Sequence, residues 1–193
     1  MFKFFLFFCC FFFISSQLFA ENIGSDTGYR IPRFVSLKSN ETNLRIGSST
    51  NYPIILKYII KSLPVEVTDE YHVWRKINDI EGNEGWIHKT LLKGERFAII
   101  KQSNKFVIHV YSKPKGKIIG EIGKYNIVKI NTCLDQWCKI NINKNNGWIN
   151  KEYLWGVYKN EKINVPFYQP LINQIWKIKL NKIKYQNLTD SEK

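Results

Sequence analysis

The chain has 193 residues, with 29 Lys and Arg against 16 Asp and Glu and a formal net charge of +13. That length leaves room for one ordinary domain or two small ones. So high a charge invites nucleic acid or anionic surfaces as partners. However, Lys, Asn and Ile abound together along the chain and the Lys residues are scattered among acids. This reads first as a biased, solvated surface and second as one that meets anionic envelope polymers.

Residues 1–20 carry one positive charge, Lys3, then an unbroken apolar run from Phe4 to Ile14, then polar Ser15, Ser16 and Gln17 before Ala20. This is the order of a secretory signal peptide, with cleavage expected near Ala20. The apolar run is shorter than the roughly 20 residues of a membrane-crossing helix. Leu18, larger than the small residue usual two positions before the cleavage point, keeps an uncleaved anchor as the alternative. Cys9 and Cys10 sit inside the run between Phe residues, where a lipid-modified Cys is not found. The expected product is exported, periplasmic or secreted, with about 173 residues and a charge of +12 once Lys3 is lost. Export argues against nucleic acid as a partner.

Two blocks of sequence recur. Trp74-Arg75-Lys76-Ile77 is echoed by Trp137-Cys138-Lys139-Ile140, and Gly85-Trp86-Ile87-His88-Lys89 by Gly147-Trp148-Ile149-Asn150-Lys151. The offsets are 63 and 62 residues, so two units of about 60 residues stand in series. Their expected bounds are 32–97 and 98–158. Each unit consists of short runs rich in β-branched and aromatic residues, such as 65–68, 73–77, 126–130 and 136–142. Asp, Asn and Gly clusters separate them. No helical period is convincing between Arg33 and Tyr158. The fold class expected is all-β, as two small barrels in tandem.

Side chains alternate between the faces of a strand, so Trp74 and Ile77, three apart, point to opposite sides. If Ile77 is interior, Trp74 faces outward or into a groove. The same holds for Trp137 against Ile140 and for Trp86 against Ile87. Two outward Trp residues per unit would make a stacking platform for a peptide or sugar; the alternative is that each caps its barrel as peripheral core.

The stretch Asn43-Leu44-Arg45-Ile46-Gly47-Ser48-Ser49-Thr50-Asn51-Tyr52-Pro53-Ile54 resembles the opening signature of bacterial SH3-like domains. Leu63-Pro64-Val65-Glu66-Val67, Trp74-Arg75-Lys76-Ile77 and Gly85-Trp86-Ile87-His88 continue it in order. The second unit, with its Cys-x-x-x-Trp-Cys turn and its Leu154-Trp155-Gly156-Val157-Tyr158 ending, is similar to exported tandem bacterial SH3 proteins. The likeness spans about Arg33 to Tyr158. Ser48 stands where the family usually has Pro, and Val107-Ile108-His109-Val110-Tyr111 replaces the Asn-Leu-Arg opening in the second copy. The resemblance implies a binding module for cell-wall peptidoglycan or for peptides. Its ligand residues would be Tyr52, Tyr58, Tyr71, Trp74 and Trp86; Arg45 would hold the opening strand and loop instead.

No catalytic residue, metal site or cofactor is expected. His72, His88 and His109 are dispersed and fit no zinc pattern. Cell-wall endopeptidases of the Cys–His type often carry such modules but need a separate catalytic domain, for which the span after Tyr158 is too short. Outside the leader the Cys residues are Cys133 and Cys138, flanking what reads as a hairpin tip. A disulfide between them is expected, since strands paired across a tip can meet its geometry and export permits it. Free thiols or partial zinc ligation are the alternatives. The basic extension 159–193 has no counterpart in the first unit. In it Leu171, Ile172, Ile175, Trp176 and Leu180 could form a helix face on an anionic membrane, or Trp176, Ile178 and Leu180 could alternate as a strand. Docking of this tail onto the second barrel is favoured over both. Beside the wall-binding reading stands another: an adaptor that binds an envelope protein through a sheet edge or the tail.

Overall fold

A computed structural model describes residues 22–101 and 107–166; the leader and most of the basic extension, with the helix-or-strand question at 171–180, lie outside the described residues. The described chain forms two antiparallel sheets of seven strands each, with two 3-10 turns and no α-helix among these residues. The first sheet holds β1 (Arg33–Leu37), β2 (Thr42–Arg45), β3 (Ile54–Tyr58), β4 (Pro64–Tyr71), β5 (Trp74–Asn78), β6 (Glu84–His88) and β7 (Leu92–Lys93). In the second are β8 (Phe97–Ile100), β9 (Val107–Tyr111), β10 (Ile118–Gly123), β11 (Ile127–Cys133), β12 (Trp137–Ile142), β13 (Asn145–Asn150) and β14 (Leu154–Trp155). Their strand orders, β3-β2-β6-β5-β4-β1-β7 and β10-β9-β13-β12-β11-β8-β14, are the same order seven strands apart. The tandem of small β domains expected from the sequence repeats is therefore present. Phe97 opens the second sheet rather than closing the first unit.

The central strands of each sheet bury one face. Val65 and Val67 on β4, Ile77 on β5 and Ile87 on β6 are fully enclosed with Leu37 and Leu44 in the first core. Val128, Ile130, Ile140, Ile149 and Leu154 do the same in the second. Burial of such side chains is worth roughly 1.5–3 kcal/mol each, and cores this small depend on every one of them.

The recurring Gly-Trp-Ile-His/Asn-Lys block has a physical reading. Gly85 faces the core opposite Ile77, where a Cβ would come within 2.6 Å of the Arg45 carbonyl oxygen and 2.8 Å of Leu44. Gly147, opposite Ile140, has no room for a Cβ beside Val110. The following Trp points outward and the Ile inward. His88 and Asn150 then cap a 3-10 turn: the His88 ring nitrogen accepts from the Thr90 amide and the Asn150 side-chain oxygen from the Glu152 amide. Finally the amides of Lys89 and Lys151 each donate, at 2.8 Å, to a carbonyl in the preceding hairpin, Val73 and Gln136 respectively.

Matched β-bulges interrupt the central hairpin of each unit. The register slips between Val67 and Asp69 on β4 and between Ile130 and Thr132 on β11. A bulge adds one residue and re-aims the side chains beyond it, so Glu70 and Cys133 turn inward. They face Arg75 and Cys138 across the ladder. The Cys133–Cys138 disulfide is formed.

Between the units, Phe34 of β1 packs edge-on against Trp155, with ring centroids 5.0 Å apart, and at a tilt against Tyr158, at 4.8 Å. The Tyr158 hydroxyl donates to a Glu66 carboxylate oxygen at 2.7 Å. This gives the Leu-Trp-Gly-Val-Tyr ending a structural task, joining the second unit to the first.

Candidate functional site

The register places a row of polar and aromatic residues on the outer face of the first sheet. Tyr71 is opposite Trp74 at the β4–β5 hairpin, Trp74 is opposite His88, Lys76 is opposite Trp86, and Trp86 is opposite Arg45 on β2. Residues directly opposite share a face, as do alternate residues along a strand. Tyr71, Trp74, His88, Trp86, Lys76 and Arg45 therefore lie on one surface, away from Ile77 and Ile87. Trp74 and His88 touch edge to face at 5.4 Å. Arg45 extends from this row to the loop after β2, where its Nη1 donates to the Tyr52 carbonyl oxygen at 2.6 Å. Tyr52 and Tyr71 are exposed and Trp86 is half-buried.

Two of the five expected ligand residues need correction. Tyr58 is not on this face: alternation along β3 aligns it with Leu56, not with Lys57, and it is buried in the first core opposite Thr42. Its hydroxyl donates to Asp79 at 2.9 Å, and burial together with that bond pushes its pKa upward. Trp74 lies on the outward face, opposite to Ile77 as strand alternation requires, but is only 8% exposed. It serves as a packed floor rather than an open platform. His88 and Lys76 join the row unanticipated, although their register with Trp74 and Trp86 follows from the hairpin alone.

Behind this face, at the inner end of β4 and β5, sits a buried ionic cluster. The Glu70 side chain is fully enclosed and meets Arg33 Nη2 at 2.6 Å and Arg75 Nε at 3.4 Å. The backbone amides of Asp26 and Thr27, at 3.0 and 2.9 Å, and the Thr27 hydroxyl, at 2.7 Å, also donate to it. Burial pushes this carboxyl up, but the hydrogen bonds from Thr27, Arg33 and Asp26 outweigh it and hold the pKa down at about 2. The N-terminal segment is thereby strapped to the first barrel, with Ser25 also donating to the Glu70 carbonyl.

The second barrel carries its own version of both features. Tyr111 is opposite Trp148 and Trp148 opposite Lys139, while Trp137 is opposite Asn150. Tyr111 occupies the position of Arg45, and its ring packs edge-on against Trp137 at 5.2 Å. Its strap is C-terminal: Ile163 exchanges two backbone hydrogen bonds with Cys133, at 2.9 and 3.1 Å. Beneath it the Lys151 ammonium is buried and donates to the carbonyls of Leu134, Asp135, Lys159 and Glu161 at 2.7–3.2 Å. Burial lowers its pKa, opposed by the charges of Glu161 and Asp135.

The model of the bacterial SH3 domain matches the sequence twice, at residues 38–94 and 107–156, together more than half of the chain. The chain belongs to the bacterial SH3 domain family. Two SH3 matches coincide with the two barrels, the first running from the residue after β1 to the residue after β7. A comparison with curated proteins finds no match. Among solved structures this SH3 tandem is similar to NlpC1 from Trichomonas vaginalis, at 18% identity over 68% of this chain and 48% of that one, with a TM-score of 0.28. It is also similar to NlpC2 from the same organism, at 16% identity over 70% and 52% with a TM-score of 0.30. An NlpC/P60 family protein from Bacillus cereus matches at 14% identity over 72% and 61%, with a TM-score of 0.29. The chain spans about half the length of the first two. Among the described residues of the SH3 pair, no three His, Cys, Asp or Glu side chains gather as a metal site would require.

Proposed function

We propose that this protein is an exported, non-catalytic binding module that engages cell-wall peptidoglycan, or peptides, through the outer aromatic face of its first SH3 domain. The observation that carries the reading is the alignment of Tyr71, Trp74 and Trp86 with Arg45 and His88 on one face. Aromatic surfaces with a few fixed polar groups suit sugar rings and peptide backbones, because stacking supplies contact area and the polar groups supply orientation. The binding role is supported by membership of a family of such modules. A non-catalytic role is supported by the chain's own chemistry: Cys133 and Cys138 are tied to one another, and His88 is committed to capping a turn. The leader reading supports export.

Co-sedimentation with isolated peptidoglycan at two salt concentrations tests this. Retention should survive high salt and fall in Trp86→Ala; loss of retention at high salt would reduce it to nonspecific attraction between a basic surface and an anionic polymer. Trp86 is the better probe than Trp74, whose burial makes its removal a packing defect.

One observation favours a second reading, an adaptor for another envelope protein. The edge strands β3 and β10 present exposed Ile54 and Ile55, and Ile118 and Ile119. Unpaired edges with apolar side chains are suited to strand addition. Cross-linking in the intact envelope should recover a protein partner at these edges if that reading holds.

A further inference from the structure

A pocket of about 580 Å³ lies where the N-terminal strap, β1, β7 and the connection between the two units meet. Its walls carry five cations, Arg33, Arg75, Lys89, Lys93 and Arg96, and no acid. Phe34, Val35, Val67 and Leu92 supply the apolar part of the lining. The volume is within the usual range for small-molecule sites, and the site is separate from the outward aromatic row.

Nearby acids answer part of this charge. Glu70 is held by Arg33 and Arg75, Glu95 by Lys93, and Glu161 by Arg96. Lys89 is exposed and joins no ion pair among the described residues. Two donors remain without an acceptor: Arg33 Nη1 and Arg96 Nε are both buried and unpaired. Arg33 gives its Nη2 to Glu70, whereas Arg96 gives Nη1 and Nη2 to Glu161 and its Nη2 also to the Gly156 carbonyl. Buried unpaired donors are rare in folded proteins and call for an unseen acceptor. The Ser36 and Thr42 hydroxyls are also buried without a partner, but the two charged donors fall on arginines that line one pocket.

We infer that this pocket is a second binding site, for the free C-terminal carboxylate of a short peptide. A carboxylate would supply the acceptor that these arginines lack, and the excess of cations over acids in the lining favours the anion. The apolar walls accept the terminal side chains. Tyr29 lies over the Arg33 guanidinium at 5.5 Å and is exposed, so an aromatic wall stands beside the cations of the same pocket.

The test is a titration of the full chain, expressed with its own leader and purified after export, followed by NMR at the Thr27, Val35 and Gly94 amides. The probes are N-acetyl-alanyl-alanine, its C-terminal amide, and inorganic phosphate. The acid should shift these signals saturably and the amide should not; Lys89→Gln should weaken binding roughly three- to tenfold by removing one unpaired cation. Trp86→Ala should leave the titration unchanged. Equal binding of acid and amide overturns the proposal, as does an unaltered Lys89→Gln titration or phosphate saturating the same signals as tightly as the acid. Loss of binding in Trp86→Ala would also overturn it, by moving the ligand to the aromatic face and leaving the proposed function standing.

Discussion

At one point in the register the two barrels are built on different chemistry. Glu70 and Arg75 of the first occupy the place of Cys133 and Cys138 in the second. All four are nearly or fully buried, and both pairs sit beneath a terminal strap, N-terminal over Glu70 and C-terminal over Cys133. What repeats is the inward position made by the bulge; its occupant does not. A charge cluster in that position depends on every partner being present, because each buried ion needs its counter-charge. The disulfide depends only on oxidation, and it frees the neighbouring strap to use backbone hydrogen bonds and the Lys151 ammonium instead. The first barrel should therefore be sensitive to substitution and acid, and the second to reductant.

The largest break in this comparison should come from Glu70→Ala. It would strand Arg75 and Arg33 and release the Asp26 and Thr27 amides, costing about 3–5 kcal/mol. Urea unfolding followed by Trp fluorescence should show the first barrel melting ahead of the second. Titrating the same carboxylate is a gentler version. With a folded pKa of about 2 against an ordinary 4.5, Glu70 stabilises the fold fully above about 4.5, and that stabilisation drains away as pH falls toward 2. The acid loss should appear in the first barrel and shrink in Glu70→Ala, leaving the smaller share of the exposed Glu95, whose pairs with Lys129 and Lys93 also lower its pKa.

On the other side, Lys151→Met should cost about 2–3 kcal/mol, since four part-buried carbonyls lose a charged donor at once. Hydrogen exchange at Ile163 should rise with it as the C-terminal strap loosens. Replacing Cys133 and Cys138 together by Ser, or adding reductant, should cost about 2 kcal/mol, because the loop between them is short. Thermal unfolding should show that loss in the second barrel alone. A shift shared equally by both barrels would mean that the contact through Phe34, Trp155 and Tyr158 makes them one cooperative unit.

Much of the fold is legible in the sequence because repetition supplies a second copy of each signal. The Gly-Trp-Ile block twice, at offsets near 60, is enough to demand two small β units, and strand alternation places Ile77 and Ile87 inside. Tyr58 resembles a ligand residue only as an aromatic near a loop; its spacing of two from Leu56 already points to the core. The degree of Trp74 burial is not legible, since alternation gives a direction and not what covers it. The Glu70 cluster is hidden by the bulge: an unbroken ladder would send Glu70 outward. The repeat offers the missing signal, since Glu70 and Arg75 stand 63 residues before the two Cys residues.

The most direct test of the central claim is to follow the indole N–H signals of the Trp residues as soluble peptidoglycan fragments are added. Trp74 and Trp86 should shift at concentrations that leave Trp137 and Trp148 in place, and Arg45→Ala should weaken the effect. Movement of Trp137 and Trp148 alone, or no movement of any indole, would contradict the assignment of binding to the first domain's aromatic face.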